Sequence, residues 1–233
     1  MPYRRLPNTD KARIRSLEKA VRKMKENDFY APVIAPDLLT CAEKSLSLFK
    51  EAHNRYLDCV EKQIEFSRSD AYQSKLKTAR MFVSHFITVF NLCVKRGEFK
   101  PTDRVFYSMA KDQSELPDLS SDISVLRWCE NVVRGEGSRT SKGGVPIYNP
   151  TMAKVAVHYE LFKAQYKRQC ELRESSESSL AAVAALRSQI DGVILDIWNS
   201  VESYFAGLKG VVRLKACGEY GLIYYYRSGE KAR

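Results

Sequence analysis

Apolar residues recur at helical spacing over four long stretches of the chain. They lie three or four residues apart from Leu39 to Val60 and again from Leu76 to Cys93. A third stretch runs from Met152 to Tyr166, and a fourth from Val183 to Leu208. This spacing places apolar side chains along one side of an α-helix. A mostly α fold with four long helices is therefore predicted.

Breaker and polar residues divide the four stretches into two predicted helical hairpins. Pro36 and Pro150 stand where the hairpins begin, and proline suits the first helical turn because its missing N–H needs no partner there. Polar residues around Ser69 and the serine-rich stretch 174–179 predict the turns within the hairpins. Gly97 can end the first hairpin in the left-handed conformation. The resulting fold class is an up-and-down four-helix bundle.

Three further segments complete a predicted single helical domain over residues 1–233. An N-terminal helix is predicted from Asp10 to Glu26. The connection between the hairpins should hold a strand at Thr102–Ser108, a helix at Ile123–Val133 and a glycine-rich loop at 134–148. Aromatic and β-branched residues at 222–227 are typical of a strand, which should pair with Arg104–Ser108 as a two-stranded β ribbon. The segment boundaries are 1–34, 35–96, 97–149, 150–208 and 209–233.

An up-and-down bundle returns the chain to the end where it began, so the N-terminal arm, the connection and the tail should meet at one pole. Of the net charge of +10, +5 lies in residues 1–34 and +4 in residues 205–233. We therefore expect binding at this basic pole. The candidate binding residues come from the two termini and the glycine-rich loop: Arg4, Arg5, Arg134, Glu136, Arg139, Lys142 and Tyr224.

No motif for catalysis, a cofactor or a metal is present, so no such residues are predicted. None of the three histidines follows an acidic residue at the spacing of di-metal bundles, and His53 should be a hydrogen-bonded core residue. The stretch Gly135–Gly144 has the composition of a phosphate-binding loop without its spacing. One interpretation is an anion site that uses Arg139, Lys142 and glycine N–H groups. The other is a solvated connection.

Cysteine usage and the lack of long apolar runs predict a cytoplasmic protein. Six cysteines occur singly, which indicates reduced thiols rather than disulfides. The N-terminus has no apolar region typical of a signal peptide. No apolar run reaches the length of a membrane span, so no membrane partner is expected.

Three function classes follow from these observations. The favoured one is a non-enzymatic protein that binds a protein partner through the basic pole. The alternative is a small-ligand-binding protein or enzyme with a pocket under the glycine-rich loop. A concave pocket with Glu136, Arg139 and a tyrosine hydroxyl would favour that alternative. A second alternative is nonspecific binding of nucleic acid, in which Lys and Arg neutralise phosphates and tyrosines stack on bases.

Several short stretches resemble an uncharacterised family of bacterial helical-bundle proteins. The stretches are Pro2–Asp10, Gly135-Glu136-x-x-Arg139, Gly143-Gly144-x-Pro146 with Asn149-Pro150, and Tyr220-Gly221 with Tyr224. The resemblance covers most of the chain. It implies a helical fold and a cytoplasmic location, and it implies no activity, cofactor or site.

Overall fold

A computed structural model of the chain describes residues 3–26 and 33–226. These residues are mostly helical, as predicted, with one two-stranded antiparallel sheet. The elements are β1 (Tyr3–Arg4), α1 (Asp10–Glu26), α2 (Pro36–Arg68), α3 (Asp70–Lys95), a 3₁₀ helix (Pro101–Tyr107), α4 (Asp122–Ser141), α5 (Met152–Tyr204), a second 3₁₀ helix (Phe205–Gly207), α6 (Gly210–Glu219) and β2 (Tyr224–Tyr225). None of the helices in these two ranges has both the length and the apolar character that a membrane span requires.

The chain folds into two compact units, which we describe separately. Unit 1 contains the described residues of 1–60 and 175–233, and unit 2 contains residues 61–174. The prediction of one domain over the whole chain stays a prediction. Parts of the predicted N-terminal arm (1–2 and 27–32) and of the predicted tail (227–233) lie outside the described residues.

The core of unit 1 forms between α1, α2, α5 and α6. Phe49 of α2 and Ile197 of α5 are buried, and Leu17 of the α1 stripe packs in the same cluster. Charged pairs also join α1 to α5. Arg13 donates two hydrogen bonds to Asp191, at 2.8 and 2.9 Å, and Arg187 of α5 makes an equivalent pair with Asp10.

The β ribbon joins the two ends of the described chain. In register, Tyr3 lies opposite Tyr225, and Arg4 lies opposite Tyr224. The prediction of a two-stranded ribbon with a strand near the C-terminus is therefore confirmed. The prediction that this strand pairs with Arg104–Ser108 is wrong, because it pairs with Tyr3–Arg4. Gly221 turns the chain toward β2 with a φ of +85°, and a Cβ there would lie 2.5 Å from the carbonyl oxygen of Ser16. Only glycine fits this position.

The core of unit 2 forms between α3, α4, the first part of α5 and the 3₁₀ helix Pro101–Tyr107. Phe86 and Phe162 are buried there, as predicted. The ring of Tyr72 packs edge-on against Phe162, with centroids 6.1 Å apart, and Phe82 stacks on His158 at 4.4 Å. Tyr72 precedes Phe82 on α3, whereas its partner Phe162 follows His158 on α5. The two helices therefore run antiparallel.

The helix break of the first predicted hairpin is confirmed, and its packing is not confirmed. Ser69 ends α2 and caps α3, because its side chain accepts a hydrogen bond from the backbone N–H of Tyr72 at 3.2 Å. The apolar stripe of α2, including Phe49, lies in the core of unit 1, whereas Val83 and Phe86 of α3 lie in the core of unit 2.

The turn predicted at 174–179 is wrong, because α5 continues through it. The residues from 151 to 191 include neither glycine nor proline, so nothing forces the helix to end. The serines pack instead of turning: Ser176 is buried, and the hydroxyls of Ser175 and Ser179 lie 3.5 and 3.4 Å from the sulfur of Cys59. The four-helix bundle of two hairpins is therefore not confirmed.

The connection between α3 and α5 also differs from its prediction in two places. The strand predicted at 102–108 is a 3₁₀ helix, since Pro101 suits a first turn and the Asp103 carboxylate accepts the Lys100 N–H at 3.3 Å. The loop predicted at 134–148 is helical up to Ser141, so only its second half is a loop. The helix predicted at Ile123–Val133 lies within α4, whose start is capped by Ser121, since its side chain accepts the N–H of Ser124.

Candidate anion site in unit 2

Gly135 lets α4 pack directly on the 3₁₀ helix Pro101–Tyr107. A Cβ at this position would lie 2.6 Å from both the carbonyl oxygen of Phe106 and the Cδ1 of Tyr107. Gly135, which suggested a loop, is therefore required by the close contact between the two helices. The energy of this contact outweighs the low helix propensity of glycine. This contact brings Tyr107 against Glu136 and Arg139, one turn apart on α4.

Glu136 and Arg139 form a buried ion pair with Tyr107. The relative side-chain exposure of each charged residue is 3%. Arg139 donates from Nε to Oε2 and from Nη2 to Oε1 of Glu136, both at 2.9 Å. The Tyr107 hydroxyl donates to Oε2 at 2.5 Å, and the backbone N–H of Ile147 donates to Oε1 at 3.1 Å. Every oxygen of the buried carboxylate is thus hydrogen-bonded, as burial of a charge requires.

Further contacts hold the Arg139 guanidinium on its remaining sides. Nη2 also donates to the carbonyl oxygen of Val145 at 2.6 Å, and the guanidinium carbon lies 4.2 Å above the centre of the Phe99 ring. Gly144 approaches so closely that a Cβ there would lie 2.6 Å from Nη1. Among the described residues, no hydrogen bond uses Nη1. Arg139 is therefore fixed in place with one nitrogen left to donate.

Arg139 contributes to the wall of a cavity of about 350 Å³. This volume lies at the lower end of the range of about 300–1,000 Å³ that small-molecule sites occupy. The wall is formed by Glu98, Phe99, Lys100, Asp103, Phe106, Arg139, Lys142, Gly143, Gly144 and Val145. The ammonium of Lys142 lies 4.9 Å from the centre of the Phe106 ring. Glu136 and Tyr107 lie behind this wall and support it.

The charged side chains of the wall favour an anion. Lys100, Arg139 and Lys142 are cationic. Of the two acidic residues, Glu98 forms an ion pair with Arg96 at 3.4 Å, and Asp103 accepts the backbone N–H of Lys100. Arg139 in turn is paired with Glu136. The three cationic residues of the wall outnumber its two acidic residues by one, so the cavity has a small excess of positive charge.

The glycine N–H groups, which were predicted as anion donors, are already engaged. Gly143 donates to the carbonyl oxygen of Thr140 at 2.9 Å, and Gly144 donates to that of Arg139 at 3.1 Å. These bonds satisfy carbonyl groups at the end of α4. The prediction that glycine N–H groups hold an anion is therefore wrong, and an anion in this cavity depends on side chains.

Hydrogen bonding keeps Glu136 ionised. Burial raises the pKa of the Glu136 carboxyl. Hydrogen bonds from Arg139, Tyr107 and the Ile147 N–H lower this pKa by a larger amount, so it lies below its ordinary value. Burial and the bond to Glu136 raise the pKa of the Tyr107 hydroxyl, which stays protonated and donates. The pair is thus charged and complete at neutral pH.

A lowered carboxyl pKa predicts a loss of stability in acid. The ionised Glu136 contributes stability above its unfolded-state pKa of about 4.3, and this contribution disappears as the pH falls through the lower folded-state pKa. Between about pH 5 and pH 2, the free energy of unfolding should fall more steeply in the native protein than in a Glu136→Gln variant. Urea unfolding across this pH range measures both slopes. Parallel slopes would contradict the assigned state of Glu136.

The structure places two other predicted site residues together in unit 1. Arg4 donates to the Glu202 carboxylate at 3.0 Å and to the side-chain oxygen of Asn199 at 2.6 Å. The Tyr224 hydroxyl donates to the other oxygen of Glu202 at 2.7 Å. Burial and this bond raise the pKa of Tyr224. The contacts tie the ribbon to α5, which is a structural role for both residues.

Of the remaining predicted residues, Arg5 and Arg134 are exposed, and Arg134 lies 3.6 Å from Glu130. His53 is buried as predicted, but neither ring nitrogen has a hydrogen-bond partner within the part of the chain that the structure describes. Arg4, Arg5 and Tyr224 belong to unit 1, whereas the other candidates belong to unit 2. The single basic pole that would unite them stays a prediction.

Sequence reasoning missed two residues that organise these contacts. Tyr107 was assigned to a strand, which hid its relation to Glu136, and Glu202 carries no local motif. The spacing of Glu136 and Arg139, three positions apart, was the available signal, since residues at this spacing are neighbours on a helix. Interpreting 134–148 as a loop removed that signal.

No family model matches the chain, and it has no significant match among curated proteins or solved structures.

Proposed function

We propose that unit 2 binds a small anionic molecule in the cavity beside the end of α4. This develops the ligand-pocket hypothesis, in which Glu136 and Arg139 are the polar anchors. The observation that carries it is the state of Arg139, a buried cation on the cavity wall whose Nη1 makes no hydrogen bond to any residue of 3–26 or 33–226. A guanidinium held in this way needs little reorganisation to receive an anion.

The residues around the cavity have separate roles in this proposal. Arg139 contacts the ligand, and Lys100 and Lys142 add charge from the exposed side of the wall. Glu136 and Tyr107 are positioning residues, because they hold Arg139 without lining the cavity. The site thus combines one buried cation with two exposed ones.

The competing hypotheses rest on the charge of the termini. The candidate residue Arg4 is paired with Glu202, and Arg13 of α1 is paired with Asp191. These pairs reduce the charge available to a protein or nucleic-acid partner. Arg139 is also paired, with Glu136, but it lines a cavity, which is the reason that we place the cavity of unit 2 first.

Isothermal titration calorimetry tests the proposal on the full chain. Acetate, citrate, sulfate and inorganic phosphate are titrated into the native protein and into two variants of equal net charge. Lys142→Gln removes a cation from the cavity wall, whereas Lys77→Gln removes an exposed one on α3. We expect saturable binding of at least one anion, weakened by at least about fivefold in Lys142→Gln alone, since close opposite charges each contribute about 1 kcal/mol or more. Equal weakening in both variants, or no saturable binding at all, would contradict the proposal.

A further inference from the structure

We infer that Gly144 is a positioning residue of the proposed site, because the absence of a side chain there leaves Nη1 of Arg139 open to a ligand in the cavity. This role rests on the proposed function, since it concerns access to the same cavity. Three features of the structure support it: the distance between Gly144 and Arg139, the backbone conformation of the glycine, and the contacts that hold the guanidinium.

A side chain at position 144 would cover the nitrogen that is proposed to receive the anion. A Cβ there would lie 2.6 Å from Nη1 of Arg139, 2.9 Å from its carbonyl oxygen and 3.2 Å from its Cγ. These distances are shorter than the roughly 3.5–4.0 Å at which non-bonded atoms pack. Gly144 and Arg139 both belong to the cavity wall. An added methyl group would therefore take the space beside Nη1 at this wall.

The backbone conformation does not by itself require glycine at position 144. The preceding Gly143 has a φ of +90°, in the left-handed region that side chains rarely adopt. Gly144 is not among the glycines of positive φ in the described chain. The close approach of Arg139 is therefore the reason for glycine at 144, whereas the turn itself is the reason for glycine at 143.

Arg139 cannot move away from an added side chain without losing contacts of its own. Nε and Nη2 donate to the Glu136 carboxylate, and Nη2 also donates to the carbonyl oxygen of Val145. The Phe99 ring lies 4.2 Å from the guanidinium carbon. Since the guanidinium is planar, these contacts also fix Nη1. A shift of the loop that relieved the clash would still leave the methyl group packed on Nη1.

Two glycine-to-alanine variants form a matched pair for the test. Gly144→Ala places a methyl group against Nη1, whereas Gly137→Ala places one in open space on the exposed side of α4, away from the cavity wall. Acetate, citrate, sulfate and inorganic phosphate are titrated calorimetrically into the full chain of the native protein and of both variants. In samples labelled with ¹⁵N-arginine, the Nε signal of Arg139 reports on its pair with Glu136. The Glu136→Gln variant gives the position of this signal when the pair is broken.

We take the anion that the native protein binds most tightly and expect Gly144→Ala to weaken its binding by at least about tenfold, because a hydrogen bond from a charged donor is lost. Gly137→Ala should bind as the native protein does, and the Nε signal of Arg139 should stay at its native position in both variants. That unchanged signal would distinguish loss of access to Nη1 from loss of the buried pair.

Native affinity in Gly144→Ala would overturn the role of Gly144 and leave the proposed anion site intact. Loss of the fold in Gly144→Ala, or an Nε signal that moves to its position in Glu136→Gln, would also overturn this role, because the glycine would then serve the structure of the loop. Binding of no anion by the native protein would remove both proposals.

Discussion

Replacing Glu136 with glutamine should lower the free energy of unfolding by about 3–5 kcal/mol, the usual cost of breaking a buried ion pair from one side. The amide keeps the shape of the side chain but removes its charge. It also places an NH₂ group where one oxygen accepts hydrogen bonds from Arg139. The buried guanidinium then loses its counter-charge, which is the main reason for the large effect.

The two tryptophans allow this loss to be assigned to one unit. Trp128 is buried in unit 2 and Trp198 in unit 1. Urea unfolding followed by Trp128 fluorescence in a Trp198→Phe background reports on unit 2. As a control, Glu160→Gln removes an exposed acidic residue of α5 and should change stability by less than about 0.5 kcal/mol. An equally small effect of Glu136→Gln would contradict the buried pair.

Truncating Phe162 to alanine should also cost about 3–5 kcal/mol, as for other large-to-small changes in a core. Phe162 has no exposed surface and its ring contacts those of Tyr72 and Tyr166, so its removal leaves a cavity among α5 and α3. The neighbouring Leu161→Ala is the matched control, since Leu161 is 43% exposed. Thermal and urea unfolding give both values. Similar losses in the two variants would mean that the helical phase of α5 is misassigned.

The periodicity of apolar residues predicted the buried faces of the helices well, because residues three or four positions apart lie on the same side of a helix. Phe49, Phe86, Phe162 and Ile197 all lie in a core, and α1 spans the predicted residues. The helix break at Ser69 was also predictable, because a serine side chain that caps a helix acts locally. These predictions depended on one element and its own residues, although the strand predicted at 102–108 shows that such predictions can also fail.

Other predictions failed because they depended on how elements pack. Serines at 174–179 suggested a turn, but they lie inside a continuous helix with Ser176 buried. Gly135 suggested a loop, and the reason for glycine there is the approach of Phe106 and Tyr107 from another element. Such contacts between distant residues leave no periodic signal in the chain. The ligand-pocket hypothesis named Glu136 and Arg139 but not Tyr107, for the same reason.

The most direct test of the account is to observe the Arg139 guanidinium by nuclear magnetic resonance while an anion is added. In protein labelled with ¹⁵N-arginine, the side-chain signals of Arg139 are assigned by comparison with an Arg139→Lys variant, and inorganic phosphate is titrated at neutral pH. The account predicts that the Nη1 signal of Arg139 shifts and saturates, while that of the exposed Arg134 does not. An Arg139 signal that stays unchanged at high ligand concentration, or that moves no more than that of Arg134, would contradict the claim that its free nitrogen receives the anion.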